Sequence, residues 1–273
     1  YQQSVVTNLS NTRMKYVQVV LIFFSLLEGR SVLSQSHEVH SAGIGGGVDF
    51  IKNKDMATSP LAYEGFGLPL ALNGLFLDDN WMNRFQVSVI LPILANNYPL
   101  RSKAKTKLVT WSKVTVGYQI LKNIGNLNYI GGGLGINMFY REYPFLDGFG
   151  WELQAGFDLN YARKIPINEH SFLLPQLELP IFSFIHRKPS LTLDEAFLDH
   201  FHHKNYPEML KEGSWSLIFN DWMAIELRLL YHIQPWEKVS LQFQTGVNYY
   251  AITRPEKVYH LNVPFLCFVN YHF

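Results

Sequence analysis

The 273-residue sequence has a single cysteine, Cys267, so it can form neither an intrachain disulfide nor a cysteine-rich zinc cluster. Charge is scarce. Asp, Glu, Lys and Arg together make up 16% of the chain, and the formal net charge is +1, which gives no electrostatic basis for a nucleic-acid partner. The chemical signatures that would name an enzyme or a nucleotide binder are also missing: there is no His-Glu-x-x-His, no Gly-x-Ser-x-Gly and no phosphate loop. His37-Glu38-Val39-His40 has the wrong spacing for the zinc motif, while Gly45-Gly46-Gly47 and Gly131-Gly132-Gly133 leave a dinucleotide fingerprint incomplete and read as strand-packing glycines. No apolar run is long enough for a membrane-spanning helix. No cofactor and no metal are therefore expected.

Aromatic residues are what the chain has in quantity, at 15%, with twenty Phe and fifteen Tyr, and a mean hydropathy close to zero. Near the start, Met14-Lys15 opens an apolar run from Val17 to Leu27, broken only by Gln18 and Ser25, and Val32-Leu33-Ser34 supplies residues that a signal peptidase reads. Residues 14–34 are therefore expected to be a secretory signal peptide. Residues 1–13 carry no pattern and read as upstream sequence outside the mature protein, leaving 35–273 as a single domain.

From Val39 onward the chain alternates with a period of two, the signature of half-exposed β-strands. The run Trp151 to Tyr161 shows it best. Trp151, Leu153, Ala155, Phe157, Leu159 and Tyr161 share one face; Glu152, Gln154, Gly156, Asp158 and Asn160 share the other. Its length suits a tilted strand crossing a bilayer's hydrocarbon core. Similar runs occupy about 39–51, 64–77, 85–93, 110–121, 127–141, 172–184, 222–233, 239–250 and 259–273, giving ten strands, or twelve if Trp215 to Phe219 and another fragment pair separately. The links after the first, third and seventh runs are long, whereas those after the second, fourth and eighth are tight, an asymmetry typical of outer-membrane barrels. Pro69, Pro92, Pro175, Pro180 and Pro264 fall in or near these runs, and bulges or strand ends are expected there because proline lacks a ladder donor.

The chain ends Phe265, Cys267, Val269, Tyr271, Phe273 on one parity. This resembles the C-terminal aromatic signal of outer-membrane β-barrel proteins of Gram-negative bacteria. The resemblance implies an all-β, transmembrane, antiparallel up-and-down barrel in the bacterial outer membrane. It also implies that the barrel-assembly machinery reads the strand ending at Phe273, that the first and last strands pair, and that lipid and lipopolysaccharide surround the barrel.

On the inward face the sequence places Glu152, Asp158, Glu178, Glu226, Arg228 and His232 as a polar lumen network, with Arg228 the one recognised cation among four carboxylates. In the long segment 186–213, Asp199, His200, His202 and His203, beside Asp194 and Glu195, are the residue types of a rim active site in a barrel protease or lipid A hydrolase. A basic stretch, Arg101 to Lys107, offers charge to lipopolysaccharide phosphates. The leading expectation is a non-enzymatic structural or accessory barrel, or a narrow transport path. The alternatives are the rim enzyme and a soluble, lipocalin-like ligand-binding barrel.

Overall fold

The computed structural model describes residues 38–55, 62–91, 95–98, 108–143, 148–190, 214–217, 222–252 and 257–273. Residues 1–13, the expected signal peptide over 14–34, Pro92, Arg101 to Lys107 and the acid–His stretch that includes Asp199, His200, His202 and His203 lie outside the described residues.

Alternation of apolar and polar side chains over long stretches leaves a strand no choice but to sit between two different environments, and every described element is a strand. They are β1 (Val39–Asp55), β2 (Ala62–Leu77), β3 (Trp81–Leu91), β4 (Ala95–Tyr98), β5 (Leu108–Gly125), β6 (Asn128–Tyr143), β7 (Gly148–Arg163), β8 (Ile165–Asn168), β9 (Ser171–Ser190), β10 (Ser214–Leu217), β11 (Trp222–Trp236), β12 (Val239–Ile252) and β13 (Val258–His272). Ten of them, all but the short β4, β8 and β10, pair antiparallel with their neighbours in chain order, and β1 pairs with β13 to close the sheet. At the seam Ile44 stands opposite Val269 on β13 and Leu72 on β2. The Trp215 region forms β10, which pairs only with β9 and adds no strand to the wall.

Tight turns gather at one end. Residues 78–80 join β2 to β3, and Glu237–Lys238 joins β11 to β12. The link from β5 to β6 is Asn126–Leu127, both with positive φ (52° and 58°), the two-residue hairpin geometry that matches strand twist. These turns bond to one another: the Tyr129 hydroxyl donates to the Asp78 carbonyl at 3.0 Å, and Lys164 N donates to Leu127 O at 2.9 Å.

The prolines fall where the ladders break. Opposite β7, Phe157 pairs with Phe182 and Asp158 with Pro180, so Ile181 is an extra, bulged residue. Pro175 sits where β9 leaves β7 and takes up β8. The β1–β2 ladder skips from Gly46–Leu70 to Asp49–Gly67 beside Pro69, and the β12–β13 ladder skips from Thr245–Phe265 to Asn248–Asn262 beside Pro264.

The outside of the wall is apolar. Phe265 is 59% exposed and Leu70 56%, in a band with Ile44, Phe66, Leu72, Leu134, Ile136, Phe157 and Val269. Such a band far exceeds the few hundred Å² of contiguous apolar surface that a soluble monomer shows. Aromatic side chains stand at its borders, among them Trp81, Trp236, Tyr271 and Phe273 at the turn end and Tyr140 and Tyr259 toward the other. Phe76 and Phe273 meet edge to face at 5.9 Å. A closed sheet leaves no unpaired edge, which is what lipid demands of a strand protein.

Candidate functional site

The lumen is built in layers, each set by which inward positions of the strands are polar. At the turn end they turn apolar: Leu75, Leu77, Met82, Leu121, Tyr129, Phe172, Leu174 and Leu230 pack into one buried cluster. Lys164, in the link after β7, lies under this layer with its ammonium 5.2 Å from the Phe172 ring. Burial holds its pKa below the usual lysine value, partly offset by Asp79. Toward the loop end, Phe139, Ile185, Trp222, Tyr250 and Ile252 form a second apolar cluster, and Ile51, Ile90 and Trp111 a third.

Between these layers lies a polar chamber of about 140 Å³. Arg84 projects into it from β3 and donates to three glutamine oxygens, Gln176 and Gln86 at 2.6 Å and Gln244 at 2.5 Å. Glu226 takes a short hydrogen bond from Arg228, and its other oxygen accepts from Asn248 at 2.9 Å. Glu178 is 3.7 Å from Arg228, accepts from Gln119 at 2.5 Å, and lies against Asp158. Buried carboxylates are costly unless they are paired and hydrogen-bonded, and these are.

Of the residues assigned to the lumen from sequence, Asp158, Glu178, Glu226 and Arg228 meet in this chamber. Glu152 is elsewhere. It is fully enclosed nearer the loop end, where Arg141 donates to it at 2.7 Å, Gln154 at 2.6 Å and the Tyr250 hydroxyl at 2.9 Å. His232 sits in the turn-end layer, stacked on Phe172 at 4.7 Å and 3.3 Å from Gln242. One network thus becomes three sites.

The expectation that Arg228 alone faces the acids is corrected by Arg84, Lys113 and Arg141, all inward and at most 7% exposed. The signal was present: Arg84 shares parity with Gln86 and Ser88, Lys113 with Thr115 and Gln119, and Arg141 with Asn137. Only for Arg84 does the strand, Trp81–Leu91, begin earlier than the alternation alone marks. The turn-end apolar layer also went unread, because its leucines occupy positions where parity predicts polar residues.

A closed strand barrel with an apolar exterior and a polar interior is the architecture of outer-membrane proteins. Solved barrels of that kind are similar to this chain. Among them are the outer membrane protease OmpT from Escherichia coli (9% identity, TM-score 0.48, covering 89% of this chain and 99% of that one) and the translocator domain of the autotransporter NalP from Neisseria meningitidis (8%, TM-score 0.40, 98% of each). A FadL homologue of Pseudomonas aeruginosa is another (9%, TM-score 0.33, 86% and 90%). No family profile and no curated protein sequence matches the chain.

Of the chamber's charged groups, Arg84 is held by glutamine oxygens, and Asp158, Glu178, Glu226 and Arg228 are engaged with one another, which suits a binding or structural interior. Among the described residues no group of three or more His, Cys, Asp or Glu is placed to hold a metal ion.

Proposed function

We propose that the protein is a non-enzymatic bacterial outer-membrane barrel whose lumen is a closed-off polar chamber, with a structural, accessory or small-solute role in place of open diffusion. The observation that carries this reading is the turn-end layer of Leu77, Met82, Leu121, Tyr129, Phe172, Leu174 and Leu230, which pack into one buried apolar cluster inside the barrel. An ion crossing that layer would shed much of its hydration against apolar side chains. Export behind a signal peptide over residues 14–34, recognition of the last strand at Phe273 by the barrel-assembly machinery, and contact with lipopolysaccharide belong to the same proposal. The apolar belt and the alternating last strand support them.

Conductance in planar bilayers tests the reading. The wild-type protein should show no steady ion current, and Leu77→Ala/Leu174→Ala/Leu230→Ala should introduce one. A steady wild-type conductance would overturn it.

A further inference from the structure

We infer that the outer face of the β13–β1–β2 seam, at its loop end, binds a lipid with a phosphomonoester headgroup. Lys52, Lys54 and Lys257 hold the phosphate, and Phe50 and Phe66 carry the acyl chains. The inference rests on reading the protein as an outer-membrane barrel whose loop end lies in the outer leaflet.

The outward positions of β1 run Ile44, Gly46, Val48 and Phe50, and then change to Lys52 and Lys54. Ile51 and Asn53, which alternate with them, are buried. Lys52 and Lys54 therefore stand on the lipid side of the wall, about 7 Å apart along the strand. An ammonium is expensive in hydrocarbon, so the two lysines mark the level where the wall enters the headgroups. The neighbouring strands agree. Tyr259 of β13 lies directly opposite Lys54 and is 40% exposed, an amphipathic ring of the kind that sits at a membrane interface. Lys257, exposed just before β13, is two residues from Tyr259 and so lies diagonally across from Lys54. On the other side, Glu64 of β2 is opposite Lys52, with its carboxylate 3.5 Å from the ammonium. Among the described residues Lys54 and Lys257 make no ion pair.

Charge and apolar surface together select the ligand. Three ammonium groups stand against the single carboxylate of Glu64, a surplus of two positive charges. A phosphomonoester brings about −1.5 to −2 at neutral pH and matches that surplus, whereas a phosphodiester leaves part of it unmet. Immediately toward the middle of the wall, Phe50 and Phe66 are paired across the β1–β2 ladder and meet edge to face at 5.5 Å. Phe66 is 57% exposed, and the apolar surface continues from it through Val48, Leu68 and Leu70. A free phosphate would use the lysines alone. A lipid uses both, with its headgroup on the charges and its chains on the rings below them.

Co-elution of radiolabelled lipid with the barrel in zwitterionic detergent, measured over a concentration series, provides the test. The probes are diphosphoryl lipid A, the same lipid after phosphatase treatment, phosphatidylglycerol and inorganic phosphate. Diphosphoryl lipid A should bind saturably and more weakly as salt is raised, with the other three weaker by about tenfold or more. Lys52→Gln/Lys54→Gln/Lys257→Gln should weaken its binding by about a hundredfold, roughly fivefold per lysine, while keeping the heat-dependent gel shift of a folded barrel. Lys122→Gln, which removes an exposed lysine at the turn end, should bind as the wild type does. If the triple variant does not fold, the comparison of probes on the wild type decides. Undiminished binding by a folded triple variant overturns the inference, and so does phosphatidylglycerol binding as tightly as lipid A, which leaves general attraction of anionic lipid only. Inorganic phosphate binding as tightly as lipid A overturns the lipid assignment. Folding in plain buffer would defeat the outer-membrane reading separately, since it does not depend on which probe binds.

Discussion

Arg141 of β6 donates to Glu152 of β7 at 2.7 Å, diagonally across the ladder, with both side chains shut away from solvent. Removing one partner strands the other's charge, whereas removing both leaves only lost packing and hydrogen bonds. Arg141→Met should therefore cost about 3–5 kcal/mol in urea unfolding of the lipid-reconstituted barrel. The double variant Arg141→Met/Glu152→Gln should recover part of that loss. Equal losses in the single and double variants would show that the pair is not coupled.

The apolar exterior makes a depth-dependent prediction. Leu70 lies mid-strand on the outside of β2, and Trp81 lies at the turn end of β3. Arginine at Leu70 should cost about 2–4 kcal/mol in a bilayer, and at Trp81 about 0–1 kcal/mol. A soluble barrel would show no such gradient and would fold in buffer without detergent, so either result would count for the lipocalin-like alternative.

Two inward glycines separate close approach from mere flexibility. A Cβ on Gly131 would meet the Ile120 carbonyl oxygen at 2.1 Å, whereas one on Gly117 meets nothing within 4 Å. Gly131→Ala forces the β5–β6 backbones apart and should abolish or sharply reduce barrel assembly, read as loss of the heat-dependent gel shift. Gly117→Ala should assemble as the wild type does.

Leu127 has φ of 58° in the tight β5–β6 turn, and its side chain packs on the turn-end apolar cluster. Burial offsets a left-handed conformation that a leucine otherwise avoids. A β-branched residue tolerates it less, so Leu127→Val should destabilise by about 1–3 kcal/mol in the same unfolding assay. Unchanged stability would indicate that the turn relaxes freely.

The ten strands were legible because alternation is repeated around the wall, and the prolines were legible as ladder faults because a missing donor has the same consequence anywhere. Pro180 shows this: it sits beside the bulged Ile181. The lumen was harder to read. Parity says which face a residue takes, but not its depth or its partner across the barrel, so Glu152 and Asp158 were grouped although Arg141 serves one and Glu178 touches the other. The inward leucines broke the polar pattern for a reason that no single strand contains: several strands each lend one to a shared layer.

The seam between β1 and β13 bears on how the protein is made. Neighbouring strands elsewhere are joined by far shorter stretches of chain, but the contact from Asn262 to Asp49 spans 213 positions. Loop closure over that distance comes late. Until it happens, β1 and β13 are open edges able to pair with other copies. The order of events thus predicts a vulnerable intermediate, a curled open sheet whose two raw margins must be kept from strangers until they find each other.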